Sequence, residues 1–444
     1  MRTPRPYNID GQQQFCLPKQ RRVRAKTVGA GTHTKMGRVR NRFEHHLDAI
    51  ILPGFSVVGL DSASTSAKMA AGVSEFLFTF SLNLYKQLHA DHGARGNILC
   101  SPFGVAAVLS MTLAGARNNT EKQILNVLQA NNGSDRTVHE QFEAILDRLE
   151  TLAPDVSLFI ANRIYASHEF TPLPGYASLL QKHYHSSLET VDFQKNPDGV
   201  RRKMNSWVEL KTGSRIKDFF PPGTLSPGTC LVALNAVFFK GLWESQFSAE
   251  FTSKEEFHGA DGTAKMVDLM SQRGKFRMAH SRELGATALE IPYKGARVFM
   301  VVLLPDARDG LPAFERKVTP SKLSTLLGGM TEVTKVRLRL PKFKLSQTVD
   351  LRSALTSMGA ADLFTEHADL SGVSASGGLT LSSAVHKAVL EVNEEGTEAA
   401  AASGVVMTRR AIEGIDFTVD HPFFFVLRTR DPGVVLFAGS VREL

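Results

Sequence analysis

The run NEEGTEAAAASGVVMTRRAIEGI, from Asn393 to Ile415, decides how this chain is read. At a strand's period of two, Thr397, Ala399, Ala401, Ser403 and Val405 share one face, and all are small or apolar enough to be buried. Glu398 opens the alternate set, which has to face water. Gly396 supplies a hinge ahead of the run, and no proline lies between Glu391 and His421, so every N–H is free to join a ladder. The same residues also read as a short surface helix capped by Thr397, built on four alanines and stopped at Gly404. One segment can be a loop or helix in one state and a strand in another. What decides is whether the rest of the chain builds a sheet able to receive a strand. Arg409 and Arg410 follow in a polar, turn-like setting where a trypsin-like protease finds a cleavable bond.

Outward from that run, 444 residues with 43% hydrophobic and 22% charged side chains hold ample material for a large soluble core. The formal charge of +8 is a property of one end. Residues 1–48 carry eleven Lys and Arg against three Asp and Glu, which leaves the remainder formally neutral. The tail, residues 1–48, lacks apolar periodicity; residues 1–69 read as a basic, disordered extension, with residues 70–444 as a single domain. KQRRVRAK, Lys19 to Lys26, fits a nuclear-import or weak polyanion-binding patch, but a solvated arm is the plainer reading.

Ala49 to Leu60, AIILPGFSVVGL, faintly resembles a signal-peptide core, though it contains Pro53 and Gly54 and lies far from Met1. A secretion signal behind an extra segment, or translation from Met36 or Met69, would account for it. Secretion is the expectation and an intracellular protein the alternative. No apolar stretch is long enough for a transmembrane helix. Cys16, Cys100 and Cys230 have no metal-ligand spacing, and Cys100 and Cys230 read as buried thiols. Sequons at Asn118 and Asn132 would be surface glycosylation sites in a secreted chain.

Helical spacing predicts helices over Val73–His89, through the apolar run after Ser101-Pro102, after a cap at Thr120, over His139–Leu152 and over Val200–Lys211. SLFIANRIY, CLVALNAVFFKGLW, ATALEIPY, VFMVVLLP, KVRLRLPKFKL and the two runs joined at Asp431-Pro432-Gly433 read as strands. This is an α+β pattern. No nucleophile elbow, phosphate loop, zinc-protease motif or dinucleotide fingerprint occurs. His183 and His185 read as a solvated loop pair rather than metal ligands, and Asp420-His421 as the start of an apolar strand rather than part of a triad.

NILCSPFGVAAVLSMTLAGA, NRIYASHEF, LNAVFFKGLWESQF, LEIPYKG, LPKFKL, HKAVLEVNEEGTEAAAAS and FTVDHPFFFVLR, in that order, resemble the serpin superfamily of serine protease inhibitors, in its arthropod form. The resemblance implies an α+β serpin fold: three β-sheets, one of them central and five-stranded, eight or nine helices, and an exposed reactive-centre loop at about 394–415. It implies that Arg410–Ala411 is the scissile bond, with Arg409, Thr408 and Met407 as neighbouring specificity positions and Arg409–Arg410 as a second register. Glu394, Gly396, Thr397, Ala399, Ala401 and Ser403 form the hinge. Asn235 and His386 match a polar pair beneath the sheet where it opens, beside Ser101, and Trp243 matches the aromatic at the top of the opening. Gly104 departs from the family's usual second serine, so the opening is expected to be held by Ser101, Asn235 and His386 alone.

The function implied is suicide inhibition of trypsin-like proteases by a monomer needing no cofactor, metal, membrane or catalytic residue of its own. The alternative is a non-inhibitory serpin acting as carrier or chaperone. Thr397, Ala399, Ala401 and Ser403, with neither bulk, charge nor proline, favour the inhibitor. Because the excess charge lies in residues 1–48, a chain beginning at Ala70 should lose any salt-sensitive retention on heparin. Retention by that shortened chain would locate the anion site in the folded body instead.

Overall fold

The computed structural model describes residues 61–92, 96–130, 135–396 and 414–444. The apolar run after Ser101 can only be buried, and it forms the central helix α2 (Pro102–Leu113), with no residue exposed. Pro102 suits its first turn, and the Ser101 hydroxyl caps it by accepting the Gly104 N–H at 3.2 Å. The helices α1 (Asp61–His92), α3 (Asn118–Leu128), α4 (Asp135–Glu150) and α5 (Pro174–Tyr184) pack around it. The remaining helices are α6 (Pro197–Lys211), α7 (Leu311–Lys317), α8 (Pro320–Gly328) and α9 (Arg352–Met358).

The strands are β1 (Ile98–Cys100), β2 (Val156–Ser167), β3 (Leu188–Val191), β4 (Leu231–Gly241), β5 (Ser253–His258), β6 (Ala264–Ser281), β7 (Ala286–Pro292), β8 (Val298–Pro305), β9 (Thr331–Pro341), β10 (Phe343–Asp350), β11 (Leu381–Val392), β12 (Ile415–Thr418), β13 (Phe423–Thr429) and β14 (Val435–Val441). Five of them form one sheet in the order β10-β11-β4-β2-β3. Its β4 is buried on both faces because two apolar clusters flank the sheet. The larger includes α2, and the smaller is built on Val200, Met204 and Val208 of α6 with Phe219 and Phe220. Such two-sided burial explains why CLVALNAVFFKGLW shows no apolar-polar alternation.

The other nine strands run β1-β14-β13-β8-β7-β6-β9-β12, with β5 also on β6. The two further sheets implied by the resemblance are thus continuous through one strand. β6 pairs with β5 and β9 along its first part and with β7 over Arg277–Ser281, bending at an irregularity between Gly274 and Phe276.

Several local expectations shift. The run KVRLRLPKFKL is two strands in different sheets, with β9 ending at Pro341 and β10 beginning at Phe343. The third helix starts at Asn118, not after Thr120. The buried Thr120 hydroxyl accepts the Asp369 N–H at 2.9 Å, so a tertiary partner takes up the group expected to cap. Cys100 is buried, which pushes its thiol up to about 12, whereas Cys230, just ahead of β4, is only half-buried. His183 is buried near the end of α5, its Nδ1 2.7 Å from Glu143 of α4, whereas His185, just past α5, is exposed and lies 2.9 Å from Glu150. Among the described residues no group of three His, Cys, Asp or Glu side chains could hold a metal ion. His421 turns Nδ1 to Asp420 at 2.7 Å and Nε2 to the Pro305 carbonyl at 2.9 Å. The nitrogen a serine would need as its base must itself donate there.

Candidate functional site

Strand direction in the five-stranded sheet singles out one seam. β10 and β11 are antiparallel, as are β4 and β2, but β11 and β4 run parallel from Leu381/Leu231 to Leu390/Phe239. Parallel pairing is slightly less stable per residue than antiparallel. A strand placed between β11 and β4, antiparallel to both, would remove that parallel contact. Four residues after β11 the chain enters the run 397–413.

A buried polar chain bridges the seam. His386 of β11 and Asn235 of β4 are register partners, and both are fully buried. His386 Nε2 accepts the Ser101 N–H at 2.9 Å, so its proton sits on Nδ1 and is donated to Asn235 Oδ1 at 2.5 Å. Asn235 Nδ2 then donates to Oδ1 of Asn162, its register partner on β2. Burial pushes the His386 imidazole down to about 3, so it is neutral at pH 7 and able to accept. Asn162 was not anticipated, and the expectation that three residues alone hold the opening is corrected by it. Gly104 has a reason too: a Cβ there would lie 2.6 Å from Asn235 Oδ1. The bare glycine leaves room for the Asn235 amide.

At the head of the seam the chain leaves β11 under several restraints. Trp243 is 2% exposed and stacks on Tyr293 with ring centroids 4.2 Å apart. Its Nε1–H donates to the Asn393 carbonyl at 2.9 Å and its backbone N–H to the Glu395 carbonyl at 3.0 Å. Glu394 accepts from Thr252 at 2.9 Å and pairs with Lys342 at 3.0 Å. Burial opposes ionisation of that carboxyl, but its hydrogen bonds and the Lys342 ammonium together hold it below the usual range. Gly396 has φ +100°, and a Cβ would stand 2.1 Å from the Gly241 carbonyl oxygen, so only glycine fits at this exit. Gly414, where the described chain resumes, lies as tightly on Lys335, with a would-be Cβ 2.3 Å from its carbonyl oxygen. The structure therefore brings together Ser101, Asn235 and His386 at the seam, and Trp243, Glu394 and Gly396 at its head.

Thr397, Ala399, Ala401, Ser403, Met407, Thr408, Arg409, Arg410 and Ala411 lie outside the described residues, as does Asn132. Asn118 is exposed, and its amide donates to Asp369 at 2.7 Å. No helix among the described residues is long and apolar enough to cross a membrane.

Fold and seam together define a protein whose central sheet is closed across a parallel pair, with residues 393–396 held at the head of that pair. A family model described as Serpin (serine protease inhibitor) matches residues 77–444. Iris of Ixodes ricinus is 49% identical over 380 residues, 85% of this chain and all of that protein. Ipis-1 of Ixodes persulcatus is 50% identical over the same shares. Among solved structures, uncleaved ovalbumin superposes with a TM-score of 0.76 at 32% identity, covering 84% of this chain and all of its own. The chain belongs to the serpin family.

The seam has a pH dependence whose sign is fixed by His386. An unfolded histidine titrates near 6.5 and this one near 3, so the folded state binds fewer protons between those values. Its contribution to stability is full above about pH 6.5 and falls by about 1.4 kcal/mol per pH unit below it. Urea midpoints between pH 7 and 5 should therefore drop more steeply for the natural protein than for His386→Gln. Equal slopes would show that His386 is not the titrating group.

Proposed function

We propose that this serpin is a secreted, monomeric suicide inhibitor of trypsin-like serine proteases, with Arg410–Ala411 as the bait bond. The observation that carries the reading is the parallel β11–β4 seam, with the chain held at its head through Gly396, just before residues 397–413 in sequence. A segment folding back from Gly396 into the seam runs antiparallel to both neighbours. The inward side chains would be Thr397, Ala399, Ala401, Ser403 and Val405, small enough to enter between strands already packed on two faces. The exposed Asn118 suits a secreted glycoprotein.

A serine protease attacks the Arg410 carbonyl and forms an acyl ester, which it would normally hydrolyse through its oxyanion hole. Freed at that bond, fourteen residues beyond Gly396 enter the sheet, and at ~3.4 Å per residue they carry Arg410 about 47 Å. The paired seam, Leu381 to Leu390, spans only about 30 Å. The attached protease is thus drawn to the far end of the sheet and pressed against it. Loss of one oxyanion donor slows deacylation roughly 10²–10³-fold. Some fifteen new backbone hydrogen bonds at about 0.5–1.5 kcal/mol each supply on the order of ten kcal/mol for the movement. The inhibitor contributes no catalytic group. Arg410 suits a pocket with a carboxylate at its base, while a cut after Met407 would suit a different protease. The carrier or chaperone reading keeps the fold but gives no reason for the small inward set at 397–403.

Reaction with trypsin should give an SDS-stable 1:1 complex and a mass corresponding to cleavage at Arg410–Ala411. Arg410→Ala should lose the complex. Ala401→Arg should fold and be cleaved as a plain substrate, because insertion would bury a charge at a cost of several kcal/mol. Full stoichiometric inhibition by Ala401→Arg would refute insertion, and cleavage only after Val406 or Met407 without a complex would refute the bond.

A further inference from the structure

We propose that the outer face of β6 and β9 is a docking surface for an acidic patch on the captured protease, with Arg273, Arg337 and Lys335 as its cations. This rests on the suicide-substrate reading and adds to it a second point of contact that selects among proteases.

Arg273 on β6 and Arg337 on β9 are register partners on antiparallel strands. Like charges directly opposite weaken a ladder, so the pair needs a compensating purpose or partner. On the other side of Arg337 the register partner is Asp416 of β12, the acid best placed to neutralise it. No ion pair forms between them, and among the described residues none joins Arg273, Arg337 or Lys335 to any carboxylate. Nearby cations are matched: Lys275 with Glu332 at 3.4 Å, Arg277 with Glu290 at 3.6 Å and Arg339 with Glu255 at 2.6 Å. Buried Leu338 and Leu340 turn Arg337 and Arg339 outward by strand alternation. Arg273 and Lys335 are exposed and Arg337 half-buried.

Position selects the occupant. β12 begins at Ile415, and Gly414 is seated on the Lys335 backbone, so the bait segment returns to the fold beside these cations. Six extended residues from Arg410 to Asp416 reach at most about 21 Å, and two strand spacings of ~5 Å take in Arg337 and Arg273. A protease of about 250 residues has a radius of gyration near 18 Å, so one bound across Arg410 overhangs this face. The excess of Arg273, Arg337 and Lys335 over Asp416 leaves a net positive charge there, which raises the encounter rate of a partner with the opposite sign. A long uniform polyanion is disfavoured, because Glu255, Glu332 and Asp416 interrupt the row.

The test compares the full-length natural chain with Arg273→Glu/Arg337→Glu, using one trypsin of net negative and one of net positive charge at low salt. The expected result is about a tenfold lower association rate with the anionic trypsin and no fall with the cationic one. The difference should close near 0.5 M NaCl with the number of inhibitor molecules consumed per protease unchanged. Arg273→Gln/Arg337→Gln should give an intermediate effect and supplies the test if the double reversal does not fold. Equal effects on both trypsins, or a loss confined to heparin retention, would overturn the proposal. If no covalent complex forms with either enzyme, the suicide-substrate reading fails separately. The same comparison is then read from kcat/KM for cleavage after Arg410, which requires docking but no insertion.

Discussion

One pair of strands governs this molecule: β4 and β11, parallel neighbours at the centre of a sheet covered on both faces. Side chains on β4 are committed to two cores, so the strand cannot slip without moving every one of them to the wrong side. The pair can part only sideways. What resists parting, besides the ladder itself, is the hydrogen bond from His386 to Asn235, extended on one side to the helix start at Ser101 and on the other to Asn162. Each member is buried, so a broken link leaves a polar group without water, at about 1–3 kcal/mol per group. The native state is a kinetic trap in this account: closed because opening first costs those bonds, although the opened and refilled sheet lies lower. Neutral His386 matters to the trap because a protonated ring would lose its acceptor for the Ser101 N–H.

Much of this was legible in the chain. The nearly all-apolar runs of α2, β4 and β8 admit no exposed placement, and the glycine ahead of the run after β11 marked where the chain turns out of the sheet. Other features were hidden because they depend on partners far apart in sequence. Residues 264–281 place Arg273, Lys275 and Arg277 among apolar side chains. Their strand bends near Gly274 and changes partners, so no single alternation describes it. The split between β9 and β10 falls inside one run of alternating basic and apolar residues, where only Pro341 marks the change of sheet.

The seam itself was half legible. Asn235 and His386 carried the family pattern, but Asn162 is one asparagine in a strand, and its role follows only once β2 and β4 are in register. Gly104 looked like a missing hydroxyl. In the folded chain it is the space into which the Asn235 amide turns. Gly396 was read as a hinge for its freedom; the structure shows a different constraint on it, since a Cβ there would stand 2.1 Å from the Gly241 carbonyl oxygen.

The most direct test of the kinetic trap is the thermal unfolding of the protein before and after the backbone is cut at Arg410–Ala411. If the cut segment enters the β4–β11 seam, a gain on the order of ten kcal/mol should raise Tm by about 10–15 °C while both fragments stay associated. A cut protein that melts at or below the temperature of the intact one would contradict the account.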